Sequence, residues 1–124
     1  MAEPFRQYNL KSSIMKDQTK LPATISELVA AQNNYNSTAF AALFTDDAVV
    51  HDEGKQHTGI PAIRRWNEAA NEKYRTKLET VHFSGDEHEG VLQVLVSGNF
   101  DGSPIRLHYN FTFEDSKIKT LKIS

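Results

Sequence analysis

The chain has 124 residues, 39% hydrophobic and 24% charged, with 7 Phe, 4 Tyr and 1 Trp. That fills one core, leaves no room for two domains, and lies far from a disordered composition. A formal charge of -2 without a basic run excludes a nucleic-acid footprint and a polybasic membrane patch, and the lack of cysteine excludes disulfides, thiol catalysis and thiolate metal sites.

Residues 1–20 are polar, with scattered apolar residues and no clean period, and read as an N-terminal arm. They lack the continuous apolar centre of a secretory signal, and no apolar run nears the ~20 residues that span a bilayer. A cytoplasmic location is therefore expected. The domain proper is expected over residues 21–124.

Residues 22–35 predict the first helix. Pro22 suits its start, and Thr24 and Glu27 stand at capping-box spacing. Ile25, Leu28, Val29 and Gln32 line one face, and of these only Gln32 is polar. A short second helix is expected from Ser37, with Phe40, Leu43 and Phe44 as its buried stripe and Thr45, Asp46 and Asp47 at its end. Residues 48–53, AVVHDE, predict a strand that Gly54 breaks. The following KQHTG reads as a polar loop. Thr58 and Gly59 before Pro61 then mark a third helix. Ile63, Trp66, Ala70 and Tyr74 form its apolar stripe, with Arg64, Arg65, Glu68 and Glu72 solvated.

From Lys77 the period changes to two. Residues 78–88, 91–100, 105–114 and 117–123 predict strands, and Asp86 to Gly90 and Asp101 to Pro104 supply turns. Three helices beside a run of antiparallel hairpins make an α+β arrangement, with the helices on one sheet face. In the strand 105–114, Leu107, Tyr109, Phe111 and Phe113 alternate with Arg106, His108, Asn110 and Thr112. The aromatic row is expected to meet the helices and the polar row to face solvent or a second subunit.

The stretch FAALFTDDAVVHDEGKQHTGIPAIRRW (40–66) resembles the SnoaL-like branch of the NTF2-like superfamily. Its members carry a short helix, Asp-Asp-Ala, a strand ending near Asp, a turn, and Gly-x-x-Ala-Ile-Arg. The tail VSGNFDGSPIRLHYNFTFEDSKIKTLKI (96–123) resembles that family's paired closing strands. The resemblance implies a cone: three N-terminal helices packed on a curved antiparallel sheet that encloses a pocket. It does not imply one activity, because the superfamily hosts isomerases, dehydratases, cyclases, hydrolases, transport factors and non-catalytic pockets.

The resemblance also implies positions. Asp52 matches the catalytic base of the ketosteroid isomerases, at the end of their first strand. Tyr109, two residues before Phe111, stands where those enzymes place an acidic hydrogen-bond donor. Their oxyanion-binding Tyr has no counterpart among residues 25–34, and Leu28 occupies the matched position. Leu28 and Phe111 are expected on the pocket wall. Relatives commonly pair through the outer sheet face, which implies a homodimer.

Asp52 ends an apolar strand and shares a face with Ala48 and Val50. A carboxyl there loses hydration, which raises its pKa toward the range an acid/base group needs. The alternative is a solvated Asp that caps the following turn. His51 and Asp52 face opposite sides, so they form no simple dyad, and Glu53 is expected beside His51. His57 either reaches the pocket mouth or is an exposed loop histidine. Trp66 is core, or it lines the pocket with its N–H seeking a partner. The five histidines show no metal-ligand spacing, so neither a metal nor another cofactor is expected.

Two functions remain open. One is an isomerase, dehydratase or cyclase using Asp52 as general acid/base and Tyr109 as donor, acting on a carbonyl-containing molecule. The other is a non-catalytic module holding a small apolar metabolite among Trp66, Tyr109 and Asp52.

Overall fold

The computed structural model describes residues 21–124. The expected arm, residues 1–20, lies outside the described residues. Helix α1 spans Ala23–Asn33 and α2 spans Ser37–Ala41. Strands β1 (Phe44–Asp52) and β2 (Lys55–Thr58) form a hairpin, and α3 covers Ile60–Tyr74. Then come β3 (Lys77–Gly85), β4 (Glu89–Ser97), β5 (Ile105–Glu114) and β6 (Lys117–Ile123).

The six strands make one sheet in the order β2-β1-β6-β5-β4-β3. Every neighbouring pair is antiparallel except β1 with β6, which run parallel, Val50 beside Leu121 and His51 beside Lys122. The all-antiparallel sheet expected from sequence is therefore mixed. Parallel neighbours need a long crossover, and here α3 and four strands lie between β1 and β6. Register shifts interrupt the ladder between Phe44 and Val49, Thr80 and His82, and Thr112 and Phe113. Each extra residue bends its strand and increases local twist, which curves the sheet.

Two helices precede the first hairpin and the third follows it, so the helices are not all N-terminal to the sheet. The capping box does not form: the Thr24 hydroxyl donates instead to the Ser116 carbonyl, at 2.7 Å. Helix α2 is capped by Asn36, whose side chain accepts from the Ala39 N–H at 3.0 Å. That helix ends earlier than its apolar stripe suggests. Phe44 already pairs with Ile118, because the free edge of β6 offers hydrogen bonds that a continued helix would forgo. The KQHTG segment is a strand rather than a loop, paired with β1. Strand β3 stops at Gly85, where the Asp86 carboxylate accepts from the His88 and Glu89 N–H groups at 2.8 and 3.0 Å.

Ile25 and Leu28 of α1, Phe40 of α2 and Ile63 of α3 pack on Ala48, Val50, Leu92, Val94, Phe111 and Leu121 of the sheet. The expected aromatic face of β5 does turn inward, with Tyr109 and Phe111 buried and Arg106 and His108 exposed. Leu28 has no exposed surface, so truncating it removes buried methyl groups and leaves a cavity. Leu28→Ala is expected to lower unfolding free energy by about 2–5 kcal/mol, read from urea titration followed by Trp66 fluorescence.

Candidate functional site

Strand alternation places Asp52 on the inner face with Ala48 and Val50, both fully buried. Directly opposed residues of an antiparallel pair share a face, so His57, beside Val50 on β2, also turns inward. On the other side, Tyr109 of β5 pairs with Ile123 of β6. Continuing the β1–β6 register by one residue sets Ile123 beside Asp52. Asp52 and Tyr109 thus stand two strands apart on one row, roughly 10 Å at the backbone.

Between this row and α3 lies a cavity of about 460 Å³. Asp52, Glu53, His57 and Trp66 line one side, Tyr109, Leu107, Ile123 and Val96 line the sheet, and Gln32, Asn67 and Thr76 reach it from α1, α3 and the link just before β3. Tyr74 and Phe100 meet edge to face at 6.0 Å and form part of the same wall. Gly98 permits that contact. A Cβ there would lie 2.6 Å from the Tyr74 carbonyl oxygen, which instead accepts the Asn99 N–H at 2.7 Å.

A larger hollow of about 650 Å³ lies between Pro22, Phe83, His88 and Ser116. Of the four acids on its wall, Asp86, Glu87, Glu114 and Asp115, Asp86 is fully exposed and is held below the ordinary carboxylate range by the two turn N–H groups from which it accepts. It therefore has a structural task, and we place the chemistry in the smaller cavity.

Asp52 is half-buried, and its carboxyl is held above the usual range, first by lost hydration and then by the charge of Glu53. The Trp66 indole opposes this by donating Nε1–H to Oδ2 at 3.3 Å, as does the positive charge that His57 can carry. His57 stacks on Trp66, ring centroids 5.7 Å apart. Tyr109 is buried, and both that burial and the nearby Asp52 charge push its phenol far above the ordinary value. It stays protonated across the working pH range and remains a donor.

Asp52, Tyr109, Trp66 and His57 therefore meet at one cavity. Leu28 and Phe111 do not: both are core residues absent from its wall, Leu28 beneath the sheet-facing side of α1 and Phe111 one step along β5 toward the closed end. Glu53 was expected beside His51. It takes a left-handed conformation, φ 53°, in the hairpin turn, leaves the strand's alternation, and borders the cavity.

The sequence reading missed a buried polar cluster. Gln32 Nε2 donates to Asn71 Oδ1 at 2.7 Å and to the Thr76 carbonyl and hydroxyl at 3.1 and 2.9 Å. Asn67 Nδ2 donates to Gln32 Oε1 at 2.8 Å, and Asn67 Oδ1 accepts from Ser37 at 2.6 Å and from Asn71 Nδ2 at 3.0 Å. The signal was present: Asn67 and Asn71 stand four residues apart within the apolar stripe of α3, opposite Gln32 on α1. Among the described residues no three His, Asp or Glu side chains gather to hold a metal, and no helix is long and apolar enough to cross a membrane.

The family model for the SnoaL-like domain matches residues 25–121. A presumed polyketide cyclase from Sinorhizobium meliloti is 36% identical, with a TM-score of 0.80 over 84% of this chain and 95% of that one. A hypothetical protein with a ketosteroid isomerase-like fold from Catenulispora acidiphila, solved in complex with trimethylamine, is 16% identical, with a TM-score of 0.76 over 85% of this chain and 86% of that one. A computationally designed 17-OHP binder is 16% identical, with a TM-score of 0.69 over 81% and 86%. Among curated proteins none matches.

The raised carboxyl of Asp52 has a consequence for stability. A folded-state pKa above the unfolded one means that the protein gains from the protonated acid below the unfolded value. That gain is lost as pH rises through the folded value. Asp52→Asn keeps an acceptor for Trp66 and removes the buried charge. The variant is expected to melt higher than the wild type at pH 7, with the difference closing below the ordinary Asp range of about 4. Thermal unfolding of both proteins across that pH span measures it.

Proposed function

This chain belongs to the SnoaL-like domain family, and on that premise we propose that it catalyses proton transfer beside a carbonyl group, with Asp52 as general acid/base. The observation that carries the reading is a half-buried carboxyl, held by an indole N–H, at a cavity whose wall joins apolar and aromatic side chains to a few polar ones, among them Glu53, Lys73 and Asn67. Desolvation strengthens Asp52 as a base, since it brings the pKa nearer the pH at which it must work. The indole bond orients the carboxylate by holding Oδ2 on Trp66.

Tyr109 supplies a permanently neutral hydroxyl on the same sheet row. As negative charge grows on a carbonyl oxygen, a fixed donor in a water-poor site stabilises it more than bulk water does. His57, stacked on Trp66, adjusts the Asp52 carboxylate through its charge. Isomerisation, dehydration and cyclisation all share this step.

A second reading is a non-catalytic pocket for a small apolar metabolite. It is favoured by the apolar walls of Val96, Leu107, Ile105 and Ile123, and by the lack of a second carboxyl on the Tyr109 side. We also infer that two copies pair through the outer sheet face. Arg106 and His108 are exposed there, with Asn110 and Thr112 half-buried on the same row. A dimer mass by light scattering is the expected result, and a monomer at micromolar concentration would refute the pairing.

Exchange of α-protons from a panel of ketones into deuterated water tests the chemistry. Asp52→Asn is expected to slow exchange by about 100- to 10,000-fold, the usual worth of a positioned acid/base group. Unchanged exchange in that variant would remove Asp52 from the reaction, and a bound ligand recovered unaltered would favour the second reading.

A further inference from the structure

The polar cluster beneath the cavity has one N–H left over. Its sense is set at a single point: the Thr76 carbonyl can only accept, so Gln32 must present Nε2 to it, and hence Oε1 to Asn67. Asn67 must then answer with Nδ2, which turns its Oδ1 toward Ser37 and Asn71. The opposite orientation would set oxygen against oxygen at Thr76.

Three amides offer six N–H bonds. Both of Gln32 meet acceptors, shared between Asn71 and Thr76. Both of Asn71 do so, at Asn67 Oδ1 and, at 3.4 Å, Ser37 Oγ. Asn67 spends one on Gln32 and, among the described residues, has no acceptor for the other. Asn67 is only 3% exposed, yet it belongs to the cavity wall, whereas Asn71 does not. A buried N–H without an acceptor is costly, so this position favours a bound oxygen.

We propose that the free Nδ2–H of Asn67 binds the acceptor oxygen of the cavity's ligand and sets which way round that ligand lies. The inference rests on the proton-transfer reading above and adds to it the docking point for the carbonyl. Asn67 follows Trp66 on α3, and Trp66 holds Asp52. Asn67 and Asp52 line the same cavity, and in the proposed pose an oxygen on Asn67 has its neighbouring α-carbon toward Asp52. Asp52 takes the α-proton, the C–H electron pair becomes the C=C bond, and the carbonyl π pair moves to oxygen. The developing charge on that oxygen is met by the Asn67 N–H, in addition to the Tyr109 hydroxyl on the facing sheet wall. Return of the proton from Asp52 to carbon closes the step. The three hydrogen bonds that the Asn67 amide already makes hold its plane, so no reorganisation is needed as charge develops.

The test compares α-tetralone with tetralin, which has the same rings and no carbonyl, on the ¹⁵N-labelled protein by NMR. With α-tetralone, the Trp66 indole resonance and one of the two Asn67 side-chain amide protons are expected to shift. With tetralin only Trp66 should respond. The ketone is expected to bind about tenfold tighter, the worth of one net hydrogen bond. If α-tetralone moves Trp66 but leaves the Asn67 amide as tetralin leaves it, this inference falls and the pocket reading stands. If the Asn67 proton shifts while α-proton exchange is untouched by Asp52→Asn, the docking point stands and the acid/base role of Asp52 falls. If neither compound moves Trp66, both fall. Asn67→Asp should abolish the preference for the ketone. Because that change also sets a carboxylate against Gln32 Oε1 and endangers folding, the wild-type spectra decide.

Discussion

Everything at the site depends on the parallel pairing of β1 with β6. That ladder determines the register of the first strand against the closing hairpin, and with it the face on which position 52 emerges. Side chains alternate with a period of two, so a slip by one residue would exchange Asp52 for His51 and bury an imidazole where a carboxyl now stands. Ala48 and Val50, both fully buried, resist such a slip because it would expose them. The apolar residues of β1 thus hold the carboxylate in position without touching any ligand.

The electrostatics follow from this placement. Burial works against the charged form of Asp52 and of Tyr109 alike, yet with different results. A carboxylic acid starts far below neutral pH, so raising its pKa brings it toward the working range. A phenol starts above it, so the same force locks it as a neutral donor. One cavity therefore produces a proton acceptor and a permanent donor from two groups that differ mainly in their starting point. Trp66 limits the effect on Asp52, since its N–H favours the ionised form, and His57 stacks on the indole.

The amide cluster of Gln32, Asn67 and Asn71 joins α1 to α3 beneath the cavity, where hydrophobic contact would serve for adhesion alone. Polar groups so deeply buried are tolerated only when nearly all their bonds are made. They also specify geometry more tightly than apolar packing, because each donor must face an acceptor. The Ser37 hydroxyl and the Thr76 carbonyl tie the cluster to α2 and to the link just before β3, so all three helices and the sheet share one rigid floor.

Period and punctuation alone determined much of this protein. The helical stripes of α1 and α3, the strands β5 and β6, the inward aromatic row of β5 and the inward parity of Asp52 are local properties, set by 3.6- and 2-residue repeats between turn residues. Resemblance to the SnoaL-like family supplied the cone. Other features needed partners distant in the chain. Phe44 is strand because Ile118 is there to pair with it, and the KQHTG segment is strand because β1 lies alongside. Glu53 reaches the cavity because a tight hairpin gives it a left-handed backbone, and Thr24 caps nothing because the Ser116 carbonyl is closer to hand. The meeting of Gln32 with Asn67 and Asn71 is of the same kind. Each was visible as a polar residue on an apolar stripe, but a hydrogen bond is directional and short-ranged. Only the packing of α1 against α3 decided that these amides would answer one another and leave a single N–H unspent at the cavity wall.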